Sequence, residues 1–178
     1  FRLREGWKVY WRSPGDAGYP PSLDWKGSEN LAASEILWPL PERFSVTGME
    51  TLGYKNEVVY PVTVTPQAPG REMKLRVNVD YLACSEICVP YQADLKLDLA
   101  AGDGAASSFA HLINRFAIRV PGDGAPLGLA VSRAELLGNA KQATVRITAT
   151  SKQRFNAPDM FIEGPEELII DKPKPLLT

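Results

Sequence analysis

Cys84 and Cys88 are the only cysteines in the 178-residue chain, and three residues separate them in the run CSEIC. Three kinds of chemistry suit such a pair. Zinc asks for four ligands, mostly Cys and His, at defined spacing. The one histidine, His111, falls on the face of a predicted helix opposite Phe109 and Phe116, beside Arg115, and reads as a solvated side chain. The expectation is no metal site, although a reduced Cys-x3-Cys pair could hold a soft ion such as Cu(I). A structural disulfide would close a very short loop, and in the chain-entropy model that contributes only about 2 kcal/mol. A redox pair needs sulfurs close enough to bond and open to in-line attack by a partner thiolate. No lysine, arginine or histidine lies within the motif and Glu86 is acidic, so there is no local cation to depress a thiol pKa. That suits a relay whose disulfide is attacked by a more reactive thiol. Spacing alone leaves the structural and redox readings level.

The elements that must position the pair read as strands. KLRVNVDYLA (74–83) alternates Leu75, Val77, Val79 and Tyr81 against Arg76, Asn78 and Asp80. ADLKLDLA (93–100) alternates Leu95, Leu97 and Leu99 against Lys96 and Asp98. Period two gives each strand one buried face and puts the cysteines at the end of a hairpin-like pair, near a sheet rim. WKVYW (7–11) reads as a strand that breaks at RSPGDAGYPP. VVYPVTV (58–64) reads as an edge or bulged strand because Pro61 cannot donate to a ladder. SSFAHLINRF (107–116) is the best helix, with Phe109, Leu112, Ile113 and Phe116 on one face and Ser107 or Ser108 as cap. SRAELLG (132–138) carries a capping-box pattern with a stop at Gly138, and ATVRITAT (143–150) and DMFIEG (159–164) read as further strands.

Apolar residues make up 44% of the chain, enough for a core without a crosslink, and the net charge of −1 points to no nucleic-acid partner. No apolar stretch approaches the roughly 18 residues of a membrane span. The chain begins at Phe1 without a signal-peptide pattern and ends in the linker-like DKPKPLLT, so it reads as a piece of a longer protein. The expected architecture is all-β: an immunoglobulin-like β-sandwich over residues 1–117 carrying the redox pair, then a second β-rich domain, small or incomplete, over 118–178. Trp7, Trp11, Trp25 and Trp38 are most simply core residues.

GWKVYWRSPGDAGYPPSLDW (6–25), ILWPLPERF (36–44), GYKNEVVYPV (53–62) and DYLACSEICVP (80–90) together resemble the periplasmic N-terminal region of DsbD-type thiol:disulfide interchange proteins. The likeness is closer to the ScsB branch, associated with suppression of copper sensitivity, and extends through FNAPDMFIEGPEEL (155–168). It implies a redox domain in the bacterial periplasm, part of an inner-membrane protein that also has a transmembrane electron-transfer domain and a thioredoxin-like domain. Electrons would pass to periplasmic thioredoxin-fold clients with no cofactor. By this resemblance Cys88, two residues before Pro90, forms the mixed disulfide with partners, and Cys84 resolves it. A cap that shields the disulfide would match TLGYKNE (51–57), through Leu52 or Tyr54. Tyr81 and Tyr91 flank the motif and could also pack over the sulfurs. The rival reading is a non-enzymatic sandwich that binds partners, with the disulfide as a local pin.

Overall fold

The computed structural model describes residues 1–46, 48–102, 104–139, 142–164 and 170–176. These form two compact units, one of residues 1–120 with 162–172 and one of 121–161 with 173–178.

The first unit is built around one long hairpin. Strands β7 (Met73–Cys84) and β8 (Cys88–Leu99) pair antiparallel in unbroken register from Met73↔Leu99 to Cys84↔Cys88. The other edge of β7 is shared by β2 (Ser22–Asp24) and the start of β1 (Lys8–Gly15), the latter through Lys8↔Cys84 and Val9↔Ala83. The sheet continues from β1 to β5 (Met49–Lys55) and on to β4 (Glu42–Val46). A second sheet pairs β3 (Leu31–Ile36) with β6 (Val62–Pro66). Together they make an immunoglobulin-like β-sandwich. β6 starts after Pro61, so the expected strand is shorter: the proline lies outside the ladder and its carbonyl accepts from the Leu37 amide. β1 runs on through RSPG because the register shifts between Tyr10 and Gly15, absorbing the loss of alternation.

Pleating sorts the side chains of the large sheet onto two faces. Val9, Trp11, Leu52, Tyr54, Leu75, Val79 and Ala83 are buried on the interior face. There Tyr54 and Trp38 each meet Tyr60 edge-on, and the Tyr54 and Tyr60 hydroxyls donate to the Pro39 and Tyr10 carbonyls at 2.6 and 3.0 Å. Burial holds both phenols well above the usual tyrosine pKa. The outer face is buried locally too, at Lys8, Tyr10, Thr51 and Cys84. Two glycines make this close fit. A Cβ on Gly53 would stand 2.1 Å from the Val9 carbonyl oxygen, and one on Gly18, at φ +93°, would stand 2.3 Å from the Tyr10 ring. The glycine-rich loop after β1 therefore lies directly on Tyr10.

One face of β8 departs from expectation. Leu95, Leu97 and Leu99 are 55, 54 and 39% exposed. β8 is an outermost strand of its sheet, and where Ile36 and Val62 of the second sheet come opposite it they leave a cavity that Ala93 and Leu95 also line.

Helix α1 (Ala110–Ala117) forms where expected, but only Phe116 of its apolar face is buried. Ser107 accepts from the Phe109 amide rather than capping the helix proper. Arg115 of α1 and Arg2 both pair with Glu57.

In the second unit, SRAELLG is not a helix. It lies in β9 (Ala130–Asn139), paired with β10 (Gln142–Thr150). Arg133 and Glu135 ion-pair at 2.9 Å, which two residues apart they do on a strand face and not on a helix. Pairing with the β-branched ATVRIT segment overrides the local helix signal. DMFIEG forms no strand; its Glu163, which belongs to the first unit, accepts from Arg12 of that unit at 2.6 Å from Nη2 and 2.9 Å from Nε.

Two outcomes follow. Gly53→Ala forces β1 from β5 and should cost at least ~2 kcal/mol, read as a lower urea midpoint with an unchanged slope. The Glu57 carboxyl is held below its ordinary value of 4.5, first by the Arg2 hydrogen bond and then by Arg115. A depressed carboxylate stabilises fully above its unfolded pKa and ceases to as pH falls through the folded one. Amide exchange in α1 should therefore quicken at acid pH, and Glu57→Gln should abolish that step.

Candidate functional site at the hairpin end

Cys84 ends β7 and Cys88 begins β8, so the two are the closing pair of the hairpin. They are joined by a disulfide, with Cα atoms 4.1 Å apart. The Ser85–Glu86–Ile87 loop is held by a bond from the Ser85 amide to the Ile87 carbonyl at 2.9 Å, and Ile87 is 64% exposed. The two sulfur-bearing residues differ sharply in setting. Cys84, inside the ladder between β1 and β8, is 1% exposed. Cys88, on the outermost strand, is exposed.

Cross-strand partners share a face of the sheet. The register therefore lines up Lys55, Lys8, Cys84 and Cys88 as a row on the outer face. Lys55 is engaged by Glu42 at 2.8 Å. Lys8 is buried; its Nζ donates to Thr51 Oγ1 at 3.2 Å and sits 5.4 and 5.9 Å from the Phe44 and Tyr10 ring centres. Among the described residues no carboxylate pairs with it. Burial lowers its pKa below the usual lysine value. Sequence reasoning found no cation near the sulfurs; the fold brings this one from a strand 76 positions away in sequence. The available signal was a lysine inside the otherwise apolar WKVYW.

The four candidate caps lie elsewhere. Tyr54 pairs with Val9, and both Tyr54 and Leu52 belong to the interior face. Tyr81 and Tyr91 pair with each other across the hairpin, their rings stacked 5.5 Å apart, but three residues from each cysteine the pleat points them to the interior face. Strand parity puts all four on the sheet face opposite that of Cys84 and Cys88. Tyr81 and Tyr91 instead line a cavity of about 430 Å3 with Phe1, Trp7 and Ala83. His111 is exposed on α1, and among the described residues no three His, Cys, Asp or Glu side chains cluster. Nor is any described helix long and apolar enough to cross a membrane.

A sandwich with a vicinal pair of unequal exposure at a sheet rim defines a class: immunoglobulin-like domains that carry a dithiol/disulfide. The family model of the N-terminal domain of the thiol:disulfide interchange protein DsbD matches residues 1–100. The chain belongs to that family. Residues 119–177 match a family described as a domain of unknown function. Among solved structures, the N-terminal periplasmic domain of ScsB from Proteus mirabilis is similar over 85% of this chain and 72% of that one, at 22% identity and a TM-score of 0.52. None of the curated protein sequences matches.

If exposure governs reactivity, the reduced protein should be alkylated at Cys88 at least about tenfold faster than at Cys84, measured by mass spectrometry under native conditions. Equal rates would mean that the hairpin end opens freely.

Proposed function

We propose that this chain is a protein-disulfide reductase module of the periplasm, in which Cys88 meets partners and Cys84 resolves. The observation that carries the reading is the unequal exposure of the two residues in a family of thiol:disulfide interchange domains. A thiolate of a thioredoxin-like donor domain attacks the Cys88 sulfur. The Cys84–Cys88 bond breaks, Cys84 leaves as a thiolate, and a donor–Cys88 disulfide forms. The donor's second thiol cleaves that link, so the donor is oxidised and the pair is reduced by two electrons. The Cys88 sulfur, giving up its proton, then attacks a client disulfide, and Cys84 displaces the client in reduced form. The cysteines carry the chemistry and no cofactor takes part. The donor and a transmembrane electron-transfer domain belong, in this reading, to the same inner-membrane protein, and the clients are thioredoxin-fold proteins of the periplasm.

Trapping tests the assignment. Cys84→Ser should accumulate mixed disulfides through Cys88, at least about tenfold over the wild type in a periplasmic extract, because the resolving thiol is gone. Cys88→Ser should form none. Equal trapping by both variants overturns the roles. A bridge potential well below ~−300 mV would make the disulfide a structural pin.

A further inference from the structure

We propose that Lys8 is a positioning residue for the exchange reaction: when the bridge opens, its ammonium turns to the Cys84 sulfur and holds it as a thiolate. The inference rests on the relay reading and adds a residue to it.

The geometry is that of neighbouring strands. Lys8 and Cys84 are direct partners in the β1–β7 ladder, so their Cβ atoms share a face about 4.5–5.5 Å apart. A lysine stem spans that gap by rotation. Both residues are buried, Lys8 at 8% and Cys84 at 1% exposure, so solvent screens the pair poorly. With the bridge closed, the sulfur offers no charge, and Lys8 Nζ rests on Thr51 Oγ1 and the faces of Phe44 and Tyr10. These satisfy part of an ammonium's needs and supply no opposite charge.

The other groups facing Lys8 do not compete. On β5, Lys55 is taken by Glu42 of β4. On β1, burial pushes the Tyr10 phenol up, so it stays neutral. Glu86 in the loop is exposed, and Cys88 is the exposed member of its pair. Burial also lowers the Lys8 pKa in the oxidised protein, and a thiolate beside it would raise that pKa again.

The chemistry then balances with one proton fewer. Two electrons from a donor dithiol reduce the bridge to a Cys84 thiolate and a Cys88 thiol; the donor becomes a disulfide, and one of its two protons goes to solvent. A lower leaving-group pKa also speeds the first attack, since Cys84 is the sulfur expelled.

The test compares the wild type with Lys8→Met and Lys8→Arg, each also carrying Cys88→Ala so that Cys84 titrates alone. Thiolate absorbance against pH should place the wild-type Cys84 below the ordinary ~8.5, with Lys8→Met about one unit higher and Lys8→Arg restoring the low value. With both cysteines present, the Lys8→Met equilibrium with glutathione should shift towards the disulfide, increasingly as pH rises and by less than about tenfold, the ceiling that a one-unit thiolate shift sets. Methionine keeps the stem and removes a buried charge, so the variant should melt no lower than the wild type. A Lys8→Met protein that titrates like the wild type overturns the proposal, as does a Lys8→Arg protein that behaves like Lys8→Met. The relay fails separately: a wild type that exchanges with no thioredoxin-fold dithiol sinks it, while a shifted Cys84 titration still upholds the Lys8 pair.

Discussion

The antiparallel register of β7 with β8 is the constraint on which the site depends. Leu75, Val79 and Ala83 must face the interior, and alternation then sends Cys84 to the outer face. A slip of one residue would turn the core residues outward and break the opposition of Cys84 to Cys88. Burial of leucine, valine and alanine thus determines where a sulfur points, although none of them touches the chemistry. The same register ties β7 to β1 and makes Lys8 the lateral neighbour of Cys84.

The hairpin and its end were legible because their signals are local. Period-two patterning over 74–83 and 93–100 is enough to name two strands, and a three-residue connection leaves little choice but a hairpin. What the sequence could not show depends on distant partners. Lys8 reads as the polar member of an alternating strand, and only the pairing of β1 with β7 makes it a buried cation beside a sulfur. The face on which the candidate caps fall was hidden for a related reason. Leu52 and Tyr54 are close to the site in strand order, yet the parity of β5 against β1 gives them to the core. β9 failed differently, since its Ser–Glu spacing is a sound helix signal that strand pairing overrode.

Exposure of apolar residues divides the hairpin along its length. At the closed end Cys84 and Ala83 are enclosed by β1, while towards the open end Leu95, Leu97 and Leu99 stand uncovered. On the edge of β7 away from β8, the described strands β1 and β2 each cover a part of it. Steric protection is therefore concentrated where the first sulfur is. The second sulfur, across the ladder, has β7 on one side and no other described strand on the other. Under the proposed relay, one disulfide with one enclosed and one exposed residue has a direction, the incoming thiolate meeting Cys88 and Cys84 being the leaving group.

Stability alone gives no reason for a lysine at position 8. An ammonium without a carboxylate partner in a buried setting costs the fold, and a hydrophobic residue of similar length would suit a site walled by Phe44, Tyr10 and Thr51. The hydroxyl and the two ring faces lessen that cost without cancelling it. A group that weakens the resting fold is explicable when another state of the same molecule gives it a partner. In this sheet the neutral disulfide and the dithiol differ by a charge that forms one strand away, on the same face. The cost borne with the bridge closed is recovered when it opens, which moves the equilibrium between the two states in the direction of the dithiol.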